Sequence, residues 1–375
     1  ALAAGARERG LAAEGHGAGA RQAALLAMLA AGVGSDHEPI TAEEVLARLR
    51  LGMYVYLRHG VTRQDLPALA RLWTEWTVPL DRVAFCCDGV DPAHAVAGRS
   101  LNWVVASAVA AGLPLATAVR SATLVPARRF GLDPWLGALV PHAVADVAVF
   151  DDERLERPWL VLAGGSPPAP APASSLPAWL LDSVRPGDLD GALFEPLPAS
   201  RYRAMATTAE APMVTREVES NGADALLAVA VDRHGSGRAF RGLYAGSGIR
   251  GGALATTTGS ESVALLVVGD DPAAMRQAAA AVVALKGGAA VVAGGRELAA
   301  WPARLAGQIS PEPAADVARD VHAVNDALRG LGCTLPDPLT AIDFLTSPAI
   351  PFLRICADGY MRLRDGARVG LEWSP

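Results

Sequence analysis

Short apolar runs alternate with amphipathic segments over residues 1–132 of this chain. Apolar residues at helical spacing predict helices at Arg21–Ala31 and from Thr41 to about Leu51, and a capping box opens the second helix. Continuous apolar runs predict strands at Met53–Leu57 and Arg82–Cys87. Further helices are predicted at Gln64–Trp76, Leu101–Ala111 and Leu115–Phe130. Strands that alternate with helices in this way are typical of a parallel α/β sheet.

The pattern changes after Gly137, and from there to about Leu162 it predicts β structure. Ser166–Pro177 is rich in proline, alanine and serine, a composition typical of an extended linker or exposed loop. A second α/β unit is predicted from about Ala199, with strands at Leu226–Val231, Val263–Val268 and Ala289–Val292 and helices at Pro272–Leu285 and Ala314–Leu331. We therefore predict three parts, residues 1–135, 136–198 and 199–375.

Composition narrows the class of protein. Apolar residues make up 51% of the chain and charged residues 19%, which indicates a soluble, well-packed protein rather than a disordered one. The formal net charge of −6 gives no basic field, so no nucleic-acid partner is indicated. No apolar run is long enough to predict a membrane span. The four cysteines form no C-x-x-C pair, which argues against a disulfide framework or a structural zinc site and favours a reducing cytoplasm.

Three short pieces carry metal-type ligands at the ends of apolar runs, and helical sequence follows each piece. They contain His16, His37 and Asp88. In a (β/α)8 barrel, the ends of successive parallel strands present their side chains into one mouth. Asp36 and Glu38 flank His37 and offer carboxylates that can fix an imidazole tautomer or carry protons. The order and spacing of the three pieces therefore favour a shared metal site.

Each piece has a plainer explanation when it is taken alone. His16 fits a loop histidine beside flexible glycines, the segment around His37 fits a solvated turn, and Asp88 fits a cap for the following turn.

A different motif, G-x-G-x-x-G, occurs at Gly246–Gly251. We reject it as a dinucleotide site because the fingerprint needs a buried strand before it and a helix directly after it, and β-like sequence follows here.

These pieces together resemble the adenine deaminase family of the amidohydrolase superfamily. The family's G-H segment corresponds to Gly15–Ala20, and its S-D-H-E turn is intact at Ser35–Glu38. Its R-E-G turn reads Arg58-His59-Gly60, and its T-D-D reads Cys87-Asp88-Gly89. Further matching segments lie at Gly137–Asp146, Gly251–Ala253, Val267–Asp271 and Ser347–Pro351. The similarity covers nearly the whole chain.

The resemblance implies the C-terminal half of a (β/α)8 barrel, a small β segment and the family's α/β C-terminal domain. It implies hydrolytic deamination of adenine to hypoxanthine and ammonia, in which water activated by a metal attacks C6 of the purine. His16, His37 and Asp88 would be metal ligands, and Asp88 and Glu38 would be the catalytic carboxylates. The implied cofactor is Mn or Fe in a binuclear centre, and the implied partner is a small purine substrate.

The chain also departs from the family pattern. The family's H-x-H ligand strand and bridging carboxylate do not occur before His16, so the chain is expected to begin around the fifth barrel strand. The family's H-D-S-H-N aligns with Ser260–Ala264, and the second residue of R-E-G is His59. Without an upstream ligand strand, we expect the isolated chain to bind metal weakly and not to deaminate adenine. Two alternatives remain open: a non-catalytic relative, and a hydrolase acting on another purine or cyclic amide.

A half-barrel has consequences for assembly. Its open sheet exposes two edges and the apolar faces that the missing strands would cover. We therefore expect a homo-oligomer.

Overall fold

The computed structural model describes residues 2–61, 63–89, 91–169, 177–187, 189–209, 211–259, 262, 264–350 and 352–373. The middle of the predicted linker, residues 170–176, lies outside the described residues, as do Ser260, Glu261, Val263 and Pro351 of the family-like segments. The chain forms two compact units, residues 1–172 and 173–375. The three-part division of the sequence stays a prediction.

A parallel sheet forms the centre of the first unit. Its described strands are β1 (Ser35–Asp36), β2 (Tyr54–Arg58) and β3 (Val83–Cys86), paired in that order. Asp36 is aligned with Val55, and Arg58 with Cys86. Ala13 adds one parallel bridge to Val33, just before β1. The strand predictions over residues 53–57 and 82–87 are confirmed to within about one residue at each end.

Helices follow the strands, as the alternating pattern predicts. Thr41 caps the helix that follows it, since its Oγ1 accepts from Glu44 N at 3.2 Å. The predicted capping box is only half formed, because Glu44 Oε2 accepts from Ile40 N at 2.9 Å and not from the N–H of Thr41. The core between sheet and helices includes Val45, Val55, Leu57 and Val104. The helices are α1 (Leu2–Glu8), α2 (Gln22–Ala30), α3 (Ala42–Arg50), α4 (Leu66–Leu69), α5 (Arg71–Thr74), α6 (Pro92–Val96), α7 (Leu101–Ala110), α8 (Leu115–Ala122) and α9 (Leu124–Arg129). A hairpin of β4 (Val147–Val149) and β5 (Leu160–Leu162) follows.

Two of the predicted helices are broken. The segment predicted as Gln64–Trp76 forms the two single turns α4 and α5. The segment predicted as Leu115–Phe130 is interrupted at Thr123, whose φ is −127° and ψ −77°. Pro126 explains the second break, because its ring cannot donate to the carbonyl of Ala122 and would clash with it in a continuous helix.

The second unit is built on a mostly antiparallel sheet. Within its described residues the strand order is β13-β12-β10-β11-β8-β9-β6-β7, and only the pairing of β6 with β9 is parallel. The strands are β6 (Tyr202–Thr208), β7 (Ala211–Ser220), β8 (Leu226–Asp232), β9 (Ala239–Ala245), β10 (Gly252–Thr256), β11 (Ala264–Gly269), β12 (Gly288–Ala293) and β13 (Arg296–Pro302). The chain therefore has the mixed α/β class that the sequence predicts.

Both faces of this sheet are buried. Along β8, Ala228 and Ala230 enter one apolar cluster, whereas Val229 and Val231 enter another on the opposite face. The remaining elements are α10 (Ala178–Leu181), α11 (Pro272–Ala284), α12 (Ala314–Gly330), α13 (Pro338–Asp343), and a small sheet of β14 (Leu353–Cys356), β15 (Gly359–Arg362) and β16 (Ala367–Val369). In the part of the chain that the structure describes, no helix has the combined length and apolar character needed to cross a bilayer.

Candidate metal centre

The parallel strands of the first unit end at a common edge, and the predicted ligands lie there. His16 follows the bridge at Ala13 by three residues, and His37 comes directly after β1. Arg58 is the last residue of β2, and Asp88 lies two residues beyond β3. Parallel strands carry their carboxyl ends to the same edge, which is why residues 72 positions apart meet in one region.

His16 and His37 lie in direct contact. His16 Nδ1 is 3.2 Å from His37 Nε2, and the ring centroids are 5.0 Å apart in an edge arrangement. Glu38 Oε1 lies 3.7 Å from His16 Nδ1 and 3.5 Å from His37 Nε2. One ligand atom from each of the three residues falls within 4.8 Å of the others. The site is open to solvent, since the His16 side chain is 42% exposed.

This donor set fits a divalent transition metal. Two nitrogens bound to one cation at about 2.0–2.1 Å lie roughly 3.0–3.4 Å apart, which the spacing of the two imidazoles matches. Imidazole with carboxylate is a ligand combination suited to zinc, iron and manganese rather than to calcium or magnesium. His16 and His37 are therefore brought together as the sequence predicts, with Glu38 beside them.

Two arginines hold Glu38. Its Oε1 pairs with Arg58 Nη1, and its Oε2 accepts from Arg63 Nη1 at 2.9 Å. Arg63 in turn donates to Asp65 Oδ2 at 2.6 Å. The Glu38 side chain is only 6% exposed, so these two guanidinium groups supply the compensation that a buried carboxylate needs. Glu38 is thereby fixed in place with one edge towards the imidazoles.

Asp88 lies apart from the two histidines. Its Oδ2 pairs with Arg58 Nη2, so the Arg58 guanidinium joins the Asp88 and Glu38 carboxylates. The backbone of Asp88 has a φ of 45°, and its side chain is 40% exposed. Among the described residues, the group close enough to share one cation contains His16, His37 and Glu38, and Asp88 is outside it. The role of Asp88 as a metal ligand stays a prediction.

Asp36 is fully buried, and its carboxylate is held by Arg48 and by two backbone N–H groups. Its Oδ2 accepts from Arg48 Nε at 2.6 Å, and its Oδ1 accepts from the backbone N–H groups of Gly17 at 2.8 Å and Glu38 at 3.1 Å. The sequence analysis gave no role in the site to Arg48 or Arg63, and it named Arg58 only as the first residue of the R-E-G turn. Arg48 lies on α3 near its basic end, where an arginine is ordinarily a solvated helix-end charge, so its sequence context carried no signal.

His59 is buried against Trp103. Its ring centroid lies 4.6 Å from that of Trp103, and the residue is 5% exposed. Its Nδ1 has no hydrogen-bond partner among the described residues. Burial lowers the pKa of His59, and the nearby Asp65 carboxylate only partly opposes this shift. The residue at the glutamate position of R-E-G is therefore a buried histidine with a lowered pKa.

The G-x-G-x-x-G motif does not form a dinucleotide site. The strand β9 precedes it and buries Gly242, Leu243 and Tyr244, which the sequence did not indicate. The strand β10 begins at Gly252, where the fingerprint requires a helix. The rejection of the motif is confirmed on that second criterion.

Comparison with known proteins accounts for both units. Residues 1–179 match the amidohydrolase family, and residues 204–366 match the adenine deaminase C-terminal domain. The chain is 34% identical over 366 residues to an adenine deaminase of Methylobacterium nodulans, which covers 92% of this chain and 64% of that protein. It is 33% identical to an adenine deaminase of Cereibacter sphaeroides, covering 94% of this chain and 64% of that protein. The chain thus spans just under two thirds of the length of these relatives. Residues 1–179 therefore belong to the amidohydrolase family, and residues 204–366 are an adenine deaminase C-terminal domain.

Proposed function

We propose that the protein containing this chain catalyses hydrolytic deamination of adenine, releasing hypoxanthine and ammonia. The observation that carries the proposal is the pair of imidazole nitrogens 3.2 Å apart at the strand ends, beside a carboxylate held by two arginines. Relatives named adenine deaminase match along most of the chain, which supports the purine substrate and the hydrolysis of a C–N bond in a cyclic amidine.

His16 and His37 would hold the cation, with Asp88 completing the set after it exchanges its Arg58 contact. The metal, proposed to be Mn or Fe in a binuclear centre as in the family, would lower the pKa of water and supply a nucleophile near neutral pH. Glu38 Oε1 lies beside both imidazoles and is placed to take up a proton. Glu38 would pass that proton to the ring nitrogen next to C6. Asp88 Oδ2 would take the remaining proton of the attacking water and pass it to the amino group, so that ammonia leaves as a neutral molecule.

The proposal extends to the barrel, the domain bounds, the oligomeric state and the cellular location. The three parallel strands and the bridge at Ala13 have the order expected of closing strands in a (β/α)8 barrel. We propose that residues 1–135 are that half-barrel and residues 199–375 the C-terminal domain, separated by a β segment and linker. A homo-oligomer and a cytoplasmic location are proposed with them, as is the absence of nucleic-acid and membrane partners.

The deaminase test uses the gene product that contains this chain, expressed from its native start codon and loaded with Mn²⁺. Hypoxanthine and ammonia should form from adenine, and His16→Ala and His37→Ala should abolish both products. His322→Ala is the control, because His322 is exposed on α12 and pairs with Asp326 at 3.1 Å.

Two other outcomes would overturn the proposal in different ways. Metal-loaded protein that releases no ammonia from any substrate would point to a non-catalytic relative. Ammonia from other aminopurines or cyclic amides, without turnover of adenine, would point to a hydrolase of altered specificity.

A further inference from the structure

The Asp36 carboxylate bonds to the residue directly after each candidate ligand histidine. Oδ1 accepts from the N–H of Gly17, which follows His16, and from the N–H of Glu38, which follows His37. A single oxygen atom therefore ties together two loops that are about twenty residues apart in sequence. Asp36 itself is fully buried at the end of β1.

Arg48 completes this arrangement from α3. Its Nε donates to Asp36 Oδ2 at 2.6 Å, its Nη2 donates to the carbonyl oxygen of Gly17 at 3.1 Å, and its Nη1 donates to the carbonyl oxygen of Glu44 at 3.1 Å. Both the N–H and the C=O of Gly17 are thus held, one by each member of a buried ion pair. We call Asp36, Arg48 and the Gly17 peptide the carboxylate clamp.

Gly17 is the residue that allows such a close approach. A Cβ at this position would lie 2.5 Å from Asp36 Oδ2, well inside van der Waals contact. Gly15, on the other side of His16, is equally confined, since a Cβ there would lie 2.3 Å from the carbonyl oxygen of Ser35. The glycines flanking His16 are therefore explained by packing against β1, and not by loop flexibility.

We propose that the carboxylate clamp is a positioning device that sets the separation of the His16 and His37 imidazoles. The inference rests on the proposed metal role of these histidines. His16 lies on a loop with one backbone bridge nearby, and β1 contains two residues, so regular secondary structure does little to fix either histidine. A buried ion pair is often no more stabilising than apolar packing, but apolar side chains could not bond the backbone on both sides of the site.

The test measures Mn²⁺ affinity by calorimetry in Asp36→Asn and in Val45→Ala. Val45 is fully buried on the same helix as Arg48, so its truncation destabilises the unit without touching the clamp. In Asp36→Asn the amide nitrogen faces the Arg48 donor, and we expect Mn²⁺ binding weaker by about 10–100-fold, the usual effect of losing a group that orients a ligand. Val45→Ala should change the affinity less than twofold. Equal losses in both variants would overturn the proposal.

Amide hydrogen exchange tests the clamp without metal and without substitution. The N–H protons of Gly17 and Glu38 should exchange much more slowly than that of Gly19, which lies in the exposed part of the same loop. Rapid exchange at Gly17 and Glu38 would overturn the clamp even if the protein binds Mn²⁺. Protected amides with Mn²⁺ affinity unchanged by His16→Ala would instead refute the proposed function. If Asp36→Asn does not fold, Gly17→Ala serves in its place, with the same expected loss.

Discussion

The Asp88 carboxylate is paired with the Arg58 guanidinium, and the same guanidinium contacts Glu38 through its other terminal nitrogen. The Arg58 guanidinium therefore pairs with two of the carboxylates to which the family resemblance assigns metal binding and proton transfer. Arg58 is itself buried at the end of β2, so its charge is aimed at the site rather than at solvent. If Asp88 and Glu38 bind the proposed metal, the metal and Arg58 would compete for the same carboxylate oxygens.

This competition predicts that Arg58→Met strengthens binding of divalent cations. Removing a positive charge a few ångströms from the site should increase Mn²⁺ affinity about tenfold, which corresponds to roughly 1.4 kcal/mol. Calorimetry with Mn²⁺ measures the change.

Arg63→Met is the matched control, since it removes an arginine from the other oxygen of Glu38 and leaves the contact between Arg58 and Asp88 intact. Its gain in affinity should be smaller. Adding Asp88→Asn to Arg58→Met should cancel most of the gain. An equal gain in both single variants would mean that Asp88 takes no part.

His59 predicts a loss of stability in mildly acidic solution. Its pKa is lowered in the folded chain because it is buried against Trp103, so the folded state resists a proton that the unfolded state accepts below about pH 6.5. The stabilisation from neutral His59 is present above about pH 6.5 and is lost as the pH falls towards the lowered pKa. Urea unfolding from about pH 7.5 to 5 should show this decline, and His59→Gln should flatten it. A decline of the same size in His59→Gln would assign it to other groups.

Asp343 predicts the opposite pH dependence for the second unit, whose stability it should lower as the pH rises. Burial raises its pKa to about 7, and the hydroxyl groups of Thr258 and Thr256, which donate to it, only partly oppose the shift. The folded state therefore keeps a proton that the unfolded state releases near pH 4. The contribution of Asp343 to stability is thus full below about pH 4 and is lost as the pH rises through 7.

The loss in the free energy of unfolding that is due to Asp343 amounts to at most about 4 kcal/mol by linkage. Asp343→Asn should remove it, because an amide stays neutral throughout and can bond both hydroxyls. Unfolding of the second unit, followed by circular dichroism at several pH values, measures the slope. Asp326→Asn, an exposed change on α12, should leave the slope as it is.

The sequence indicated elements wherever burial left a simple pattern. β8 and β12 are buried on both faces, so they read as unbroken apolar runs and were predicted within one residue at each end. β7 mixes polar and partly buried positions over Ala211–Ser220, and β13 begins with Arg296 and Glu297, so neither gave a strand signal. Edge strands with one solvated face depend on their neighbours more than on their own composition.

The contacts of the candidate site were likewise predictable only in part. The meeting of His16 and His37 was predictable, because parallel strands share an edge and each histidine follows a strand or bridge. The pairing of Arg58 with Asp88 and of Arg48 with Asp36 was not. Chain periodicity says which side of an element a charge occupies, but it does not say which of several carboxylates the charge will meet.

The proposed chemistry depends on the joint binding of one divalent metal by His16 and His37. Mn²⁺ calorimetry on the unsubstituted chain, His16→Ala, His37→Ala and His322→Ala measures this binding. We expect weak but measurable binding in the unsubstituted chain and in His322→Ala, and no measurable binding in each of the other two variants. Equal affinity in all four proteins would contradict the metal site, and with it the proposed chemistry.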